Sequence, residues 1–124
     1  MANNDTNSES YLKYADAKPL SKPMMEWFIK NAFNSPTQAA DPRISLVKAN
    51  LVGMPKTLII GAEIDPLQTE GKLLSEKLKA AKVDTDYELY TGVTHEFFGM
   101  AGVVPQAKDA QALAVKKLKA AFGK

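Results

Sequence analysis

The sequence contains no cysteine and only one histidine among its 124 residues. Disulfide bonds and thiolate metal sites are therefore excluded, as is a metal site built from several histidines. No apolar run approaches the roughly 18 residues that a membrane-spanning helix needs. The first ten residues are polar and lack the hydrophobic region of a signal peptide. We therefore expect a soluble, cytoplasmic protein that has no membrane partner.

The sequence also lacks a strong excess of charge of either sign. Its formal net charge is +2, and the lysines are spread along the chain. A nucleic-acid-binding protein typically concentrates its basic residues on one face, so we expect no nucleic-acid partner. The length and the ordinary hydrophobic content of 45% are typical of one domain with a modest core, here residues 1–124.

The order of polar and apolar patterns predicts an α/β protein. Residues 1–20 are rich in Asn, Asp, Ser and Thr, which predicts an irregular lead-in. The apolar run 57–62 is continuous and bounded by turn residues, as in a strand buried on both faces. The predicted elements that follow the lead-in are a helix at 23–33, a mostly loop segment at 36–56 with a short helical turn near 44–49, the strand 57–62, a helix at 69–82, a strand at 86–90 and a helix at 105–122.

The two predicted strands flank a helix, so they should be parallel and joined by a crossover. Two parallel strands do not form a stable sheet on their own, and the 57–62 strand is apolar enough to need a neighbour on each edge. That neighbour has three possible sources: a second copy of the chain, a separate partner, or the N-terminal part of a longer protein. An unpaired strand edge favours association.

Two residues with catalytic potential follow the predicted strands. Asp65 comes directly after the first strand, and His95 comes shortly after the second. Functional groups gather at the carboxyl ends of parallel strands, so this pair is a candidate for the Asp–His half of a nucleophile-activating triad. The alternative is that His95 is structural or merely exposed, and that Asp65 only starts a turn before Pro66.

Several segments together resemble the C-terminal region of the hormone-sensitive-lipase-like esterases, which are α/β-hydrolases. The matching segments are Asp41-Pro42-Arg43-Ile44-Ser45, Ala62-Glu63-Ile64-Asp65-Pro66-Leu67 and Tyr90-Thr91-Gly92-Val93-Thr94-His95-Glu96-Phe97. The resemblance implies a partial α/β-hydrolase fold, with an N-terminal helix followed by a parallel β-α-β-α unit. It also implies that His95 is the general base, that Asp65 orients it, and that the substrate is a small acyl ester. No metal or organic cofactor is expected, since triad chemistry needs neither.

Two motifs of that family are missing from the sequence. It has neither the Gly-x-Ser-x-Gly turn that carries the nucleophile nor the His-Gly-Gly motif that supplies oxyanion-hole amides. We therefore expect a truncated ester hydrolase that has no nucleophilic serine and is inactive on its own. The rival hypotheses are a homodimer formed through the edge of strand 57–62, and complementation by a separate polypeptide that supplies the missing N-terminal half.

Three glutamates near the candidate pair have two interpretations. Glu63, Glu70 and Glu96 are candidates for a general acid or base, or they are simply solvated or structural. Glu70 lies in the first turn of a predicted helix, where a negative charge interacts favourably with the helix dipole. Glu96 also differs from the family pattern, which often has Gly directly after the catalytic His.

Overall fold

A computed structural model describes residues 1–123 of this chain, apart from the side chain of Pro36. Its helices and strands are α1 (Glu9–Lys13), α2 (Lys22–Ala32), α3 (Pro36–Ala39), β1 (Thr57–Ile64), α4 (Gln68–Ala80), β2 (Thr85–Thr94) and α5 (Pro105–Ala121). Short 3₁₀ turns occupy Leu46–Lys48 and Phe97–Gly99. The α/β class is confirmed. The predicted helices lie close to their observed bounds, whereas β2 continues beyond the predicted strand 86–90 and α3 lies in the segment predicted as mostly loop. Among the helices of residues 1–123, none combines the length and the apolar character needed to cross a membrane.

The two strands pair in parallel, as the β-α-β order predicts. Side chains alternate between the two faces of a strand, and the two flanking helices use opposite faces. Ile60 and Ala62 of β1 pack on the α5 side, in a cluster that includes Ala107 and Ala110. Ile59 packs on the α4 side, in a cluster that contains Leu51, Leu74, Leu78 and Val83. The sheet is therefore the middle layer between α4 and α5.

Each strand of this two-stranded sheet is paired on one edge only, within residues 1–123. Most of β1 remains partly exposed, although its sequence predicts a strand buried on both faces. Helix α5 carries an apolar stripe that faces solvent: Val115, Leu118 and Phe122 are 49%, 56% and 73% exposed. These residues are spaced so that they share one side of the helix. The exposed stripe is apolar, and the unpaired edge of β1 presents backbone N–H and C=O groups. Proteins normally cover both kinds of surface.

The N-terminal region differs from the predicted irregular lead-in, because residues 1–20 contain the helix α1. Tyr11 is fully buried and forms a small cluster with Leu20 and Met25. Ser10 is also buried, and its hydroxyl contacts the turn after β1. The polar composition of this segment concealed it, since a five-residue helix has too few positions to show an apolar period.

Candidate active site

The carboxyl ends of β1 and β2 bring Asp65 and His95 together. The Nδ1 atom of His95 lies 2.7 Å from Oδ2 of Asp65. A carboxylate can only accept a hydrogen bond, so Nδ1 donates, and the lone pair of the ring is left on Nε2. The Asp65 side chain is about 10% exposed and that of His95 about 30%. Asp65 therefore orients the imidazole from its buried side, and the opposite side of the ring, which carries Nε2, is accessible.

A tight turn fixes the Asp65 carboxylate. Its second oxygen, Oδ1, accepts a hydrogen bond of 2.8 Å from the backbone N–H of Leu67. The Asp65 carbonyl accepts from the backbone N–H of Gln68 at 3.1 Å, at the point where α4 begins. Both carboxylate oxygens thus have a partner, which limits rotation of the side chain and directs one oxygen at His95.

Ser10 supports the same turn from the N-terminal segment. Its hydroxyl donates to the carbonyl of Pro66 at 2.6 Å and accepts from the backbone N–H of Thr69 at 3.0 Å. The Thr69 hydroxyl in turn accepts from the Ser10 backbone N–H at 3.1 Å. Sequence analysis missed this residue, because a single serine in a polar segment carries no signal for a contact 56 residues away. Ser10 therefore anchors α1 to the turn that holds Asp65.

A cleft of about 430 Å³ lies in front of this pair. Its walls include Asp65, His95 and Glu96, together with the segment Ile59–Ala62 of β1 and the aromatic rings of Phe97 and Phe98. The lining is mostly apolar, with a few polar groups near His95, which is a typical composition for a site that binds a small organic molecule. The cleft thus extends from His95 along the segment Ile59–Ala62 of β1.

Glu96 lies beside the accessible side of the imidazole. Its Oε1 is 3.5 Å from Nε2 of His95, and its own side chain is 70% exposed. The backbone at Glu96 has a φ of 69°, in the left-handed region that favours glycine. The departure from the family at this position therefore has two structural consequences: a strained backbone and a negative charge next to the candidate base.

Glu70 forms part of the cleft wall and is buried, with an exposure of 3%. One of its carboxylate oxygens accepts a hydrogen bond from the backbone N–H of Ala2, while Oε2 has no partner among the described residues. Burial raises the pKa of the Glu70 carboxyl above its usual range. Glu70 is therefore not solvated but lies buried in the first turn of α4.

Comparisons with known proteins identify the family to which this fold belongs. Residues 1–99 match the family described as the alpha/beta hydrolase fold. An ethyl acetate hydrolase of Pseudomonas putida is 27% identical over 110 residues, which cover 88% of this chain and 35% of that protein. A carboxylesterase of Mycobacterium tuberculosis is 28% identical over 122 residues, which cover 95% of this chain and 38% of that protein.

Solved structures give the same result. The hyperthermophilic esterase of Pyrobaculum calidifontis superimposes with a TM-score of 0.92 at 28% identity, covering 98% of this chain and 41% of that one. An alpha/beta hydrolase enzyme from the metagenome of Lake Arreo gives a TM-score of 0.90 at 30% identity, with coverage of 99% and 39%. The chain thus spans well under half the length of these relatives. It belongs to the α/β-hydrolase-fold family, among the hormone-sensitive-lipase-like esterases, and corresponds to one part of that fold.

Proposed function

We propose that this chain supplies the acid and base of a carboxylic-ester hydrolase, with His95 as the general base and Asp65 as the residue that orients it. The observation that carries the proposal is the 2.7 Å contact between Nδ1 of His95 and Oδ2 of Asp65. It leaves Nε2 as the free base on the cleft side of the ring. A carboxylate behind an imidazole is the arrangement that activates a hydroxyl nucleophile in hydrolases.

The chemistry requires a serine from outside residues 1–123. Nε2 of His95 would take the proton of that serine while its oxygen attacks the ester carbonyl, and Asp65 would stabilise the imidazolium that forms. The imidazolium would then return the proton to the departing alcohol, leaving an acyl-enzyme. Water, deprotonated by the same nitrogen, would release the carboxylic acid and restore the serine.

The chain on its own does not provide that serine. Its sequence has no Gly-x-Ser-x-Gly turn, and within residues 1–123 no serine hydroxyl donates a hydrogen bond to Nε2 of His95. We therefore propose that the isolated chain is inactive and that activity requires a nucleophile-bearing segment. The unpaired edge of β1 and the exposed stripe of α5 support a site of attachment for that segment.

Short acyl esters are the proposed substrate class. The relative from Pseudomonas putida is an ethyl acetate hydrolase, and Phe97 and Phe98 lie in the wall of the cleft beside His95. Apolar walls of this kind favour the acyl part of an ester over a charged substrate.

A chimaera tests the proposal. Residues 1–123 would replace the matched segment of the Pyrobaculum calidifontis esterase. The rest of that esterase would supply the nucleophile-bearing segment. We expect hydrolysis of p-nitrophenyl acetate, abolished by His95→Ala and strongly reduced by Asp65→Asn. The exposed residue Asp109 of α5 gives a matched control, Asp109→Asn, which should leave the rate unchanged. A folded chimaera, as judged by cooperative unfolding, that hydrolyses no ester would contradict the proposal. So would a chimaera whose rate is unchanged by His95→Ala.

A second candidate function is self-assembly through the unpaired edge of β1. Two copies of β1 could pair across a two-fold axis and join two small sheets into one. The test is hydrogen exchange of the β1 amides at high and low protein concentration, combined with sedimentation velocity. Self-assembly predicts that exchange at the unpaired edge slows as a dimer forms. A monomer at all concentrations, with unchanged exchange, would remove this candidate.

A further inference from the structure

The pairing of the two strands changes register just before the candidate site. From Thr57 to Ala62, each residue of β1 pairs with the residue 28 positions later, so that Ala62 pairs with Tyr90. The next recorded pair is Ile64 with Thr94, which are 30 positions apart. One residue of β1, Glu63, therefore stands opposite three residues of β2, and β2 forms a bulge.

This bulge decides which residue of β2 reaches Asp65. An unbroken register of 28 positions would place Val93 opposite Asp65. The side chain of Val93 has no hydrogen-bond donor for a carboxylate. The two extra residues advance β2, so that Thr94 pairs with Ile64 and His95 follows next to Asp65. The Asp65–His95 contact thus depends on a local irregularity and not only on the ends of two strands.

Glu63 stabilises the bulge with its side chain. Its Oε2 accepts a hydrogen bond of 2.7 Å from the backbone N–H of Gly92, in the middle of the bulge. Gly92 has a φ of 72°, in the left-handed region, which glycine adopts without steric cost. A bulged N–H has no partner on the neighbouring backbone, so the carboxylate of Glu63 replaces the missing carbonyl.

We propose that Glu63 is a positioning residue, which holds the β2 bulge in the register that brings His95 to Asp65. The effect of Glu63 on the reaction rate rests on the proposed function, whereas its effect on the position of His95 does not. Loss of the Gly92 hydrogen bond should allow β2 to relax towards the unbroken register. The imidazole would then move away from Asp65, and small displacements of a catalytic base cost large factors in rate.

The test compares substitutions that separate the hydrogen bond from the charge. Glu63→Ala removes the acceptor, Glu63→Asp keeps the charge but is too short to reach Gly92, and Glu63→Gln keeps an acceptor of the same length. Glu88→Ala is the matched control, because Glu88 is an exposed carboxylate on the neighbouring strand. The readout is the deshielded Nδ1 proton of His95 in the NMR spectrum of the whole chain, with the amide spectrum as a check on folding.

We expect this proton signal to persist in the Glu63→Gln and Glu88→Ala variants, and to broaden or vanish in Glu63→Ala and Glu63→Asp. In the active chimaera, Glu63→Ala and Glu63→Asp should each lower kcat by about 10- to 100-fold with little change in KM. An unchanged Nδ1 signal in a folded Glu63→Asp variant would overturn the inference. If the NMR result holds while the unsubstituted chimaera is inactive, only the proposed ester hydrolysis fails.

Discussion

His95 and Asp65 are 30 residues apart in the chain, yet Nδ1 of the one lies 2.7 Å from Oδ2 of the other. Three separate elements produce this contact. The Asp65-Pro66-Leu67 turn directs the carboxylate, Ser10 secures that turn from the N-terminal segment, and the β2 bulge advances His95 into place. Each of these contributions can be tested by a single substitution.

Asp65→Asn should change the tautomer of His95. The carboxylate requires a proton on Nδ1, whereas an amide can donate its own N–H to that nitrogen and favour the tautomer with the proton on Nε2. We expect ¹⁵N NMR to show protonated Nδ1 in the original chain and protonated Nε2 in the variant. In the active chimaera, the rate should fall by about 10³- to 10⁴-fold. Identical tautomers in the two proteins would show that Asp65 does not orient the imidazole.

Ser10→Ala should destabilise the fold, because it leaves the Pro66 carbonyl and the Thr69 N–H without their partner. The expected loss is about 1 to 3 kcal/mol in the free energy of unfolding, measured by urea denaturation. Ser8→Ala is the matched control, since the Ser8 hydroxyl has no hydrogen-bond partner among the described residues. Equal stabilities of the two variants would argue against an anchoring role for Ser10.

The sequence allowed the fold class, the parallel strands and the Asp65–His95 pair to be predicted, because long apolar patterns and strand ends are local features. It did not reveal α1, whose five residues lie in a polar segment. It also did not reveal the two-residue shift in register, since the predicted strand ended at residue 90 and the shift lies beyond it. The roles of Ser10 and Glu63 depend on contacts between distant segments, which neither composition nor periodicity encodes.

Glu70→Gln should change how stability depends on pH. Burial raises the pKa of the Glu70 carboxyl in the folded state, so the folded chain binds this proton more tightly than the unfolded chain. The stability that the protonated Glu70 carboxyl contributes is therefore fully present below about pH 4.5 and is lost as the pH rises through the raised folded pKa.

The measurement for Glu70 is urea denaturation of both proteins between about pH 4 and pH 8. The stability of Glu70→Gln relative to the original chain should increase with pH across this window. Glu76→Gln, at an exposed position of the same helix, is the control. A difference between Glu70→Gln and the original chain that does not vary with pH would contradict the burial effect.

Glu96→Gly should stabilise the fold. The backbone φ of 69° at this position costs a side-chain-bearing residue about 1 kcal/mol, which glycine avoids. We expect a gain of about 1 kcal/mol for Glu96→Gly and none for Glu96→Ala, which keeps the strain while removing the carboxylate next to Nε2. The denaturant midpoints of the three proteins provide the comparison. A stabilised Glu96→Ala variant would point to the charge, and not the backbone, as the source of the cost.

The most direct test of the central claim is the hydrolysis of p-nitrophenyl acetate by the isolated chain, measured beside His95→Ala. Our account predicts no difference between the two rates, because the acid and base have no serine to activate within this chain. A clear rate that depends on His95 would contradict the account, since the chain or an assembly of it would then contain a nucleophile of its own.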